Sequence, residues 1–275
     1  MRRQVVLGTG ILAAIVALAI VLFVARRERT DPARCPAGLW AQGPRCCGEG
    51  QSLAGGACSG VPIRCPDGLA PRARGCVAVP RRVRILGGTL TLSPNDWEAE
   101  GIARRTITVT EFEIDAFEVT HDRFGSVGAP EPGLPVTSLS AEAAEAFCRA
   151  QGGRLPSADE WLFAATGISA RRFPWGPTGL VCRRATFGLV EGPCGTGATG
   201  PELAGARPDG KSPDGVLDLA GNVAEWAREP NASARAHGGS FRSRVAGELK
   251  SWSVEGGESA ADHVGFRCAY SPTPH

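Results

Sequence analysis

Ten cysteines are the side chains in this sequence best suited to chemistry, and their spacing divides them into two groups. Cys35, Cys46, Cys47, Cys58, Cys65 and Cys76 crowd together, while Cys148, Cys182, Cys194 and Cys268 are spread through the rest. The even count fits a disulfide framework formed in an oxidising compartment. The crowded group has no C-x-x-C spacing and no nearby His, which argues against a zinc knot. The four histidines, His121, His237, His263 and His275, lack metal-ligand spacing and read as surface or hydrogen-bonding residues. No G-x-S-x-G nucleophile turn, H-E-x-x-H zinc motif or phosphate-cradling glycine loop occurs. The run GTGATG (Gly195 to Gly200) follows no strand pattern and reads as a loop.

The elements that must position these residues are short. The 275 residues carry a formal charge of +2, so neither nucleic acid nor another acidic polymer is an expected partner. A hydrophobic content of 43% excludes a disordered chain, and 37 Gly with 21 Pro argue for turns over long helices. After Met1, Arg2 and Arg3, an uncharged apolar run extends from Val5 to Ala25 and stops at Arg26, Arg27 and Arg29. At helical rise it covers roughly 30 Å, the thickness of a bilayer core. Residues 1–30 are therefore expected to be an uncleaved, single-pass transmembrane signal anchor. The flanking charges nearly cancel, so the cysteines decide orientation. They place the body on the periplasmic or extracellular side of the inner (plasma) membrane, a cytosolic body with reduced thiols being the alternative.

Residues 31–80 form a small cysteine-rich module. CPAGLWAQGPRC (Cys35 to Cys46) and CPDGLAPRARGC (Cys65 to Cys76) are a short internal repeat. The repeat favours the local pairs Cys35–Cys46 and Cys65–Cys76, leaving Cys47–Cys58, among the connectivities that six cysteines allow. With few apolar side chains, the segment needs such staples to hold a shape, and it need be no more than a stalk. Beyond it, VRILGGTLTLS (Val83 to Ser93) reads as a hairpin around Gly87-Gly88. RTITVTEFEIDAFEVT (Arg105 to Thr120) opens with the alternation of a half-buried strand. Helices are expected over Ala141 to Gln151, with Ser140 as N-cap, and after the capping box of Ser157 and Glu160 as far as Gly167.

Six segments in order, EIDAFEVTHDRF, PVTSLSAEAAEAFCRAQGGRLPSADEW, RRFPWG, GVLDLAGNVAEW, HGGSF and HVGFRC, resemble the formylglycine-generating enzyme (sulfatase-modifying factor) family. The resemblance covers residues 81–272 and implies a loop-rich α+β domain with a C-type-lectin-like fold. It also implies one calcium ion held by the Asp218 and Glu225 carboxylates and the Gly221 and Val223 carbonyls, a donor set of hard oxygens. It implies a Cys148–Cys268 disulfide, which leaves Cys182 and Cys194 to pair. The family's catalysts hold Cu(I) on two cysteines shortly after the G-G-S-[FYW] motif. Here Gly238-Gly239-Ser240-Phe241 is followed by Ser243 and, with looser alignment, Glu248 at those positions. A hydroxyl and a carboxylate are hard ligands and do not replace a soft dithiolate, so no copper is expected.

In this fold the segment after G-G-S-F lies over the ligand pocket, and here it carries Arg242, Ser243, Arg244, Lys250 and Trp252. Guanidinium groups beside an aromatic suit a protein, peptide or glycan ligand. The expected function is a membrane-anchored, non-catalytic binding or accessory module. An oxidase or maturation enzyme of different chemistry on the same fold is the alternative.

Overall fold

The computed structural model describes residues 39–42, 45–54, 57–65, 67–72, 75–93, 104–126, 131–177, 181–189, 192, 194, 199–231, 233–255 and 260–273. The apolar run expected to span a membrane, and Cys35 with its expected bridge, lie outside these residues. Among the described residues, no helix is long and apolar enough to cross a membrane.

Among the described residues, the cysteine-rich segment forms three two-stranded antiparallel hairpins. β1 (Leu39–Gln42) pairs with β2 (Arg45–Gly48), β3 (Ser52–Ala54) with β4 (Ala57–Ser59), and β5 (Leu69–Arg72) with β6 (Gly75–Ala78). Isolated hairpins of this length are marginal in water, so covalent links must hold them. Cys47 is bonded to Cys58, and Cys65 to Cys76. The third hairpin packs on the larger body. Gly205 lies against Leu69 and Phe117, Gly133 lies against Val77, and Ala78 joins the main core.

The strands that follow differ from the sequence expectation in one instructive way. β7 (Arg82–Ile85) and β8 (Gly88–Leu92) do not form a hairpin with each other. β7 pairs with β10 (Phe112–Asp115), and β8 with β9 (Arg105–Val109). The Gly87-Gly88 step is thus a bend that carries the chain from one sheet to another, opposite a matching break at Thr110 and Glu111. Gly87 has φ +76°, and a Cβ there would come within 2.4 Å of the Val109 carbonyl oxygen. Only glycine fits that approach. β7 and β8 bury alternate residues, Val83 and Ile85, then Leu90 and Leu92, as half-buried strands should.

Two sheets frame the body. One has the order β15-β10-β7, where β15 is Ala269–Tyr270. The other has the order β13-β12-β11-β14, built from β11 (Ala224–Arg228), β12 (Ala234–His237), β13 (Val254–Glu255) and β14 (Val264–Gly265). Among the described residues, four α-helices interrupt them: α1 (His121–Phe124), α2 (Ala141–Ala150), α3 (Ala158–Thr166) and α4 (Val181–Arg184). Ser140 caps α2 by accepting from the Ala143 N–H. Ser157 and Glu160 complete the capping box of α3, each accepting from the other's backbone N–H. α3 is buried nearly all round, and Trp161, Leu162 and Phe163 fill the core beneath β8 and β9. A second cluster around Phe266, Trp226 and Leu155 packs α2 against β11.

Cys148 of α2 is bonded to Cys268, and Cys182 to Cys194. The first bridge closes a separation of 120 residues between two positions of zero exposure. In the chain-entropy model such a loop contributes about 4–5 kcal/mol. Replacing both Cys148 and Cys268 with Ala is expected to lower Tm on the order of 10 °C. An unchanged calorimetric Tm would contradict this.

Candidate functional site

The turn Leu217 to Glu225 is the chemical centre of the body. Asp218 and Asn222 both have positive φ, 57° and 59°, a region that non-glycine residues rarely occupy. That strain folds the segment back on itself and turns the carboxylates of Asp218 and Glu225 inward, where Glu118 joins them from outside the turn. Glu225 is fully buried and binds Arg267 through both oxygens, from Nε to Oε2 and from Nη2 to Oε1, each at 2.6 Å. The Trp161 indole N–H donates to the same Oε2 at 2.7 Å. Arg267 also donates to the Leu217 carbonyl at 2.7 Å and to the Asp115 carbonyl at 2.9 Å. Glu118 accepts from the Asn222 amide at 2.6 Å and from the Val223 N–H at 3.1 Å. Asp218 accepts from the Gly205 N–H at 2.6 Å.

Three buried carboxylates therefore surround one guanidinium. Burial, reinforced by the charges of Asp218 and Glu225, pushes the Glu118 carboxyl well above the usual carboxylate range. Burial likewise pushes Asp218 up to about 6. An excess of buried negative charge suits a divalent cation, as the calcium expectation requires. Glu225 is not a free ligand, however, because Arg267 and Trp161 already hold both of its oxygens. Among the described residues, no group of three or more His, Cys, Asp or Glu side chains could hold a metal ion. A cation here would depend on Asp218 and on carbonyls such as those of Gly221 and Val223, and would share Glu225 with Arg267.

A separate cleft is lined by residues of β13, of the segment that follows β12, and by His263 just before β14. Its cavity of about 620 Å³ is lined by Ser240, Arg242, Ser243, Glu248, Glu255 and His263, with Gly247, Ser253 and Val254 between them. The glycine pair before it is structural. Gly239 has φ +68°, and a Cβ there would lie 2.7 Å from the Glu248 carbonyl oxygen, so the chain can double back only through glycine. The Ser240 N–H donates to Ser243 Oγ at 3.0 Å, and the Ser243 N–H returns to the Ser240 carbonyl at 3.0 Å. The hydroxyls of Ser240, Ser243 and Ser253 all bond to backbone. His263 instead faces two carboxylates, Glu255 at 3.0 Å from Nε2 and Asp262 at 3.3 Å from Nδ1. Among the described residues, no serine–histidine couple of the nucleophilic kind is assembled there.

Of the five residues expected to form a basic recognition surface, Arg242 and Ser243 line this cleft. Arg244, Lys250 and Trp252 stand outside its lining. Trp252 is half-buried and packs against the main core. Arg242 is bound by Asp262, Nε to Oδ1 at 3.0 Å, so its charge is balanced rather than offered. Glu248 accepts from the Arg244 N–H at 2.8 Å. The cleft is thus mixed in charge, where the sequence suggested a basic one. His263, Glu255 and Asp262 were not singled out for it, because only the pairing of β12 with β13 brings Glu255 to the cleft. The one available signal was Asp262 directly before the His that opens HVGFRC.

The fold and these motifs agree with what similar proteins show. Residues 126–272 match the sulfatase-modifying factor enzyme 1-like domain. Hercynine oxygenase of Mycolicibacterium thermoresistibile is 35% identical over 116 residues, 40% of this chain and 24% of that protein. The inactive C-alpha-formylglycine-generating enzyme 2 of Bos taurus is 31% identical over 156 residues, half of each chain. Among solved structures, Treponema denticola variable protein 1 superposes with a TM-score of 0.57 at 18% identity, covering 70% of this chain and 95% of that one. The chain spans a quarter and a half of the lengths of these two curated relatives. The family match covers more than half of the sequence, and the chain belongs to the formylglycine-generating-enzyme-like (sulfatase-modifying factor) family.

Removing one partner of the buried pair leaves the other charge stranded. Arg267→Met is expected to cost about 3–5 kcal/mol of stability, and the double variant Glu225→Gln/Arg267→Met to regain part of it. Chemical denaturation of the three proteins checks this, and equal stability of the single variant and the parent would refute it.

Proposed function

We propose that this chain is a membrane-anchored, extracytoplasmic binding or accessory module of its family that does not generate formylglycine. The observation that carries the reading is the identity of two cleft residues. Ser243 and Glu248, at the positions where the resemblance calls for the Cu(I) cysteines, both line the cavity. Their hard oxygens are poor ligands for monovalent copper. Cys148, Cys182, Cys194 and Cys268 are all consumed in disulfides, so none of them offers a thiolate in their place. The existence of a relative named as inactive supports the idea that this scaffold persists without that chemistry.

The ligand we favour is an extended segment of a protein or peptide. β13 is an edge strand of its sheet, and its residues Val254 and Glu255 form one wall of the cleft. An edge strand offers unpaired backbone groups to which a further strand can add. The residues beside it select the side chains, and a glycan would dispense with that backbone pairing. The apolar run Val5 to Ala25 supplies the anchor, and the disulfides support the oxidising side. A calcium ion at Asp218, Gly221, Val223 and Glu225 completes the proposal, drawn by the excess of buried carboxylates.

Three measurements test these parts. The full-length protein, loaded with Cu(I) under reducing conditions, is expected to retain no stoichiometric copper and to leave a cysteine-containing sulfatase peptide unconverted. Retention of one equivalent with conversion would overturn the reading. In membrane fractions the chain should resist alkaline extraction, and deletion of residues 1–30 should release it. For calcium the sign follows from Asp218 and Glu118. Both bind protons more readily folded than unfolded, so stability falls as pH rises through their raised values. Calcium should raise Tm, and more at pH 8 than at pH 5, with Asp218→Asn abolishing the difference. Equal melting curves in calcium and in chelator would remove the ion from the proposal.

A further inference from the structure

The cleft holds a contact that closes across it. Glu255 of β13 and Arg242 both line it, and Arg242 is paired with Asp262, the residue before His263. His263 spans them, with one ring nitrogen directed at each carboxylate. Only an imidazolium donates at both nitrogens. A neutral ring donates to one carboxylate and points a lone pair at the other. The groups facing His263 from both sides, Glu255 and Asp262, are therefore satisfied together only when the ring is charged. Beyond Asp262, Arg242 takes up part of that carboxylate's charge through Nε. Among the described residues that line the cleft, no second cation is paired with Glu255.

Resting on the reading of the cleft as a site for an extended segment, we infer that this site takes a cationic side chain of the ligand at Glu255, and that His263, as an imidazolium, is a built-in competitor for the same position. A ligand ammonium or guanidinium would replace the ring at Glu255, which lies on the strand to which the ligand backbone adds. The hydrogen bond to Glu255, with the neighbouring Asp262, raises the affinity of His263 for its proton above the ordinary value. Low pH thus keeps the subsite filled from within, and rising pH vacates it. The cation that completes the carboxylate comes either from the protein or from the ligand, so protonation and ligand binding oppose one another.

The test uses the full-length protein in detergent and two pentapeptides, acetyl-Thr-Val-Lys-Val-Thr-amide and the same peptide with Gln at the centre. NMR titration of the free protein should place the His263 pKa above 6.5, and Glu255→Gln should lower it. A value at or below 6.5 overturns the inference whether or not any peptide binds. The Lys peptide should bind more tightly as pH rises from 5.5 to 8.5, its affinity changing by about tenfold per pH unit below the His263 pKa and levelling above it. His263→Gln should bind the Lys peptide with a flat profile, and the Gln peptide should show no pH dependence with either protein. Tight binding of both peptides without pH dependence would overturn the inference while leaving the cleft as a site for extended segments. Failure of both peptides to bind either protein at any pH would overturn both readings. Matched melting temperatures establish that the variants are folded, and Glu255→Gln, which should weaken the Lys peptide selectively, serves if His263→Gln is not.

Discussion

The body of this protein is organised around one fully buried guanidinium. Arg267 reaches Glu225 in one sheet, the Asp115 carbonyl of the strand at the centre of the other, and the Leu217 carbonyl in the turn between them. Through the shared carboxylate it also engages Trp161 of the most deeply buried helix. Its planar fork of donors suits this task, because a bidentate carboxylate fixes orientation as well as distance. Ions taken out of water cost several kcal/mol each, and the pair repays that only when its geometry and remaining hydrogen bonds are satisfied. Here they are, so the two sheets have one relative placement that satisfies the charges and many that do not. The cleft inherits that placement, since its wall β13 is two strands away from Glu225.

Which parts of this were legible in the sequence follows from the range of the interactions. Capping at Ser140 and at Ser157 with Glu160 is decided within four residues, and the helices start where those residues say. The repeat in the cysteine-rich segment puts each bridging partner a fixed short distance away, and Cys65 and Cys76 pair accordingly. The Gly87-Gly88 step misled because a glycine pair between two apolar runs is the mark both of a hairpin and of a bend between sheets. The deciding fact is what each strand pairs with, and β7 finds β10 only after the chain has travelled through β8 and β9. Arg267 stood in a recognised motif without a role, because its partners lie 42, 50 and 152 residues away.

The site shows the same divide. Residue type is legible at once: Ser243 and Glu248 carry oxygen at the positions where the resemblance leads one to expect sulfur. Charge did not follow so directly. Counting Arg242, Arg244 and Lys250 along the chain suggests a basic surface, but electrostatic character belongs to the folded arrangement. Asp262 and Glu255 arrive from a later segment and turn the balance, and Trp252 is drawn half-way into the core by apolar burial. A run of like charges in sequence predicts a basic patch only when nothing opposite folds onto it.

Scaffold and cleft therefore answer to different constraints. Changing Arg267 or Glu225 strands a charge where water cannot reach, and folding bears the cost. Changing Ser243 alters a small side chain whose described role is to accept a backbone N–H, and Glu248 stands at the solvent side of the same wall. The chemistry of the cleft can be rewritten by such replacements while the ion pair behind it keeps the walls in place. That separation lets the interior keep its family character while Ser243 and Glu248 stand in the cleft.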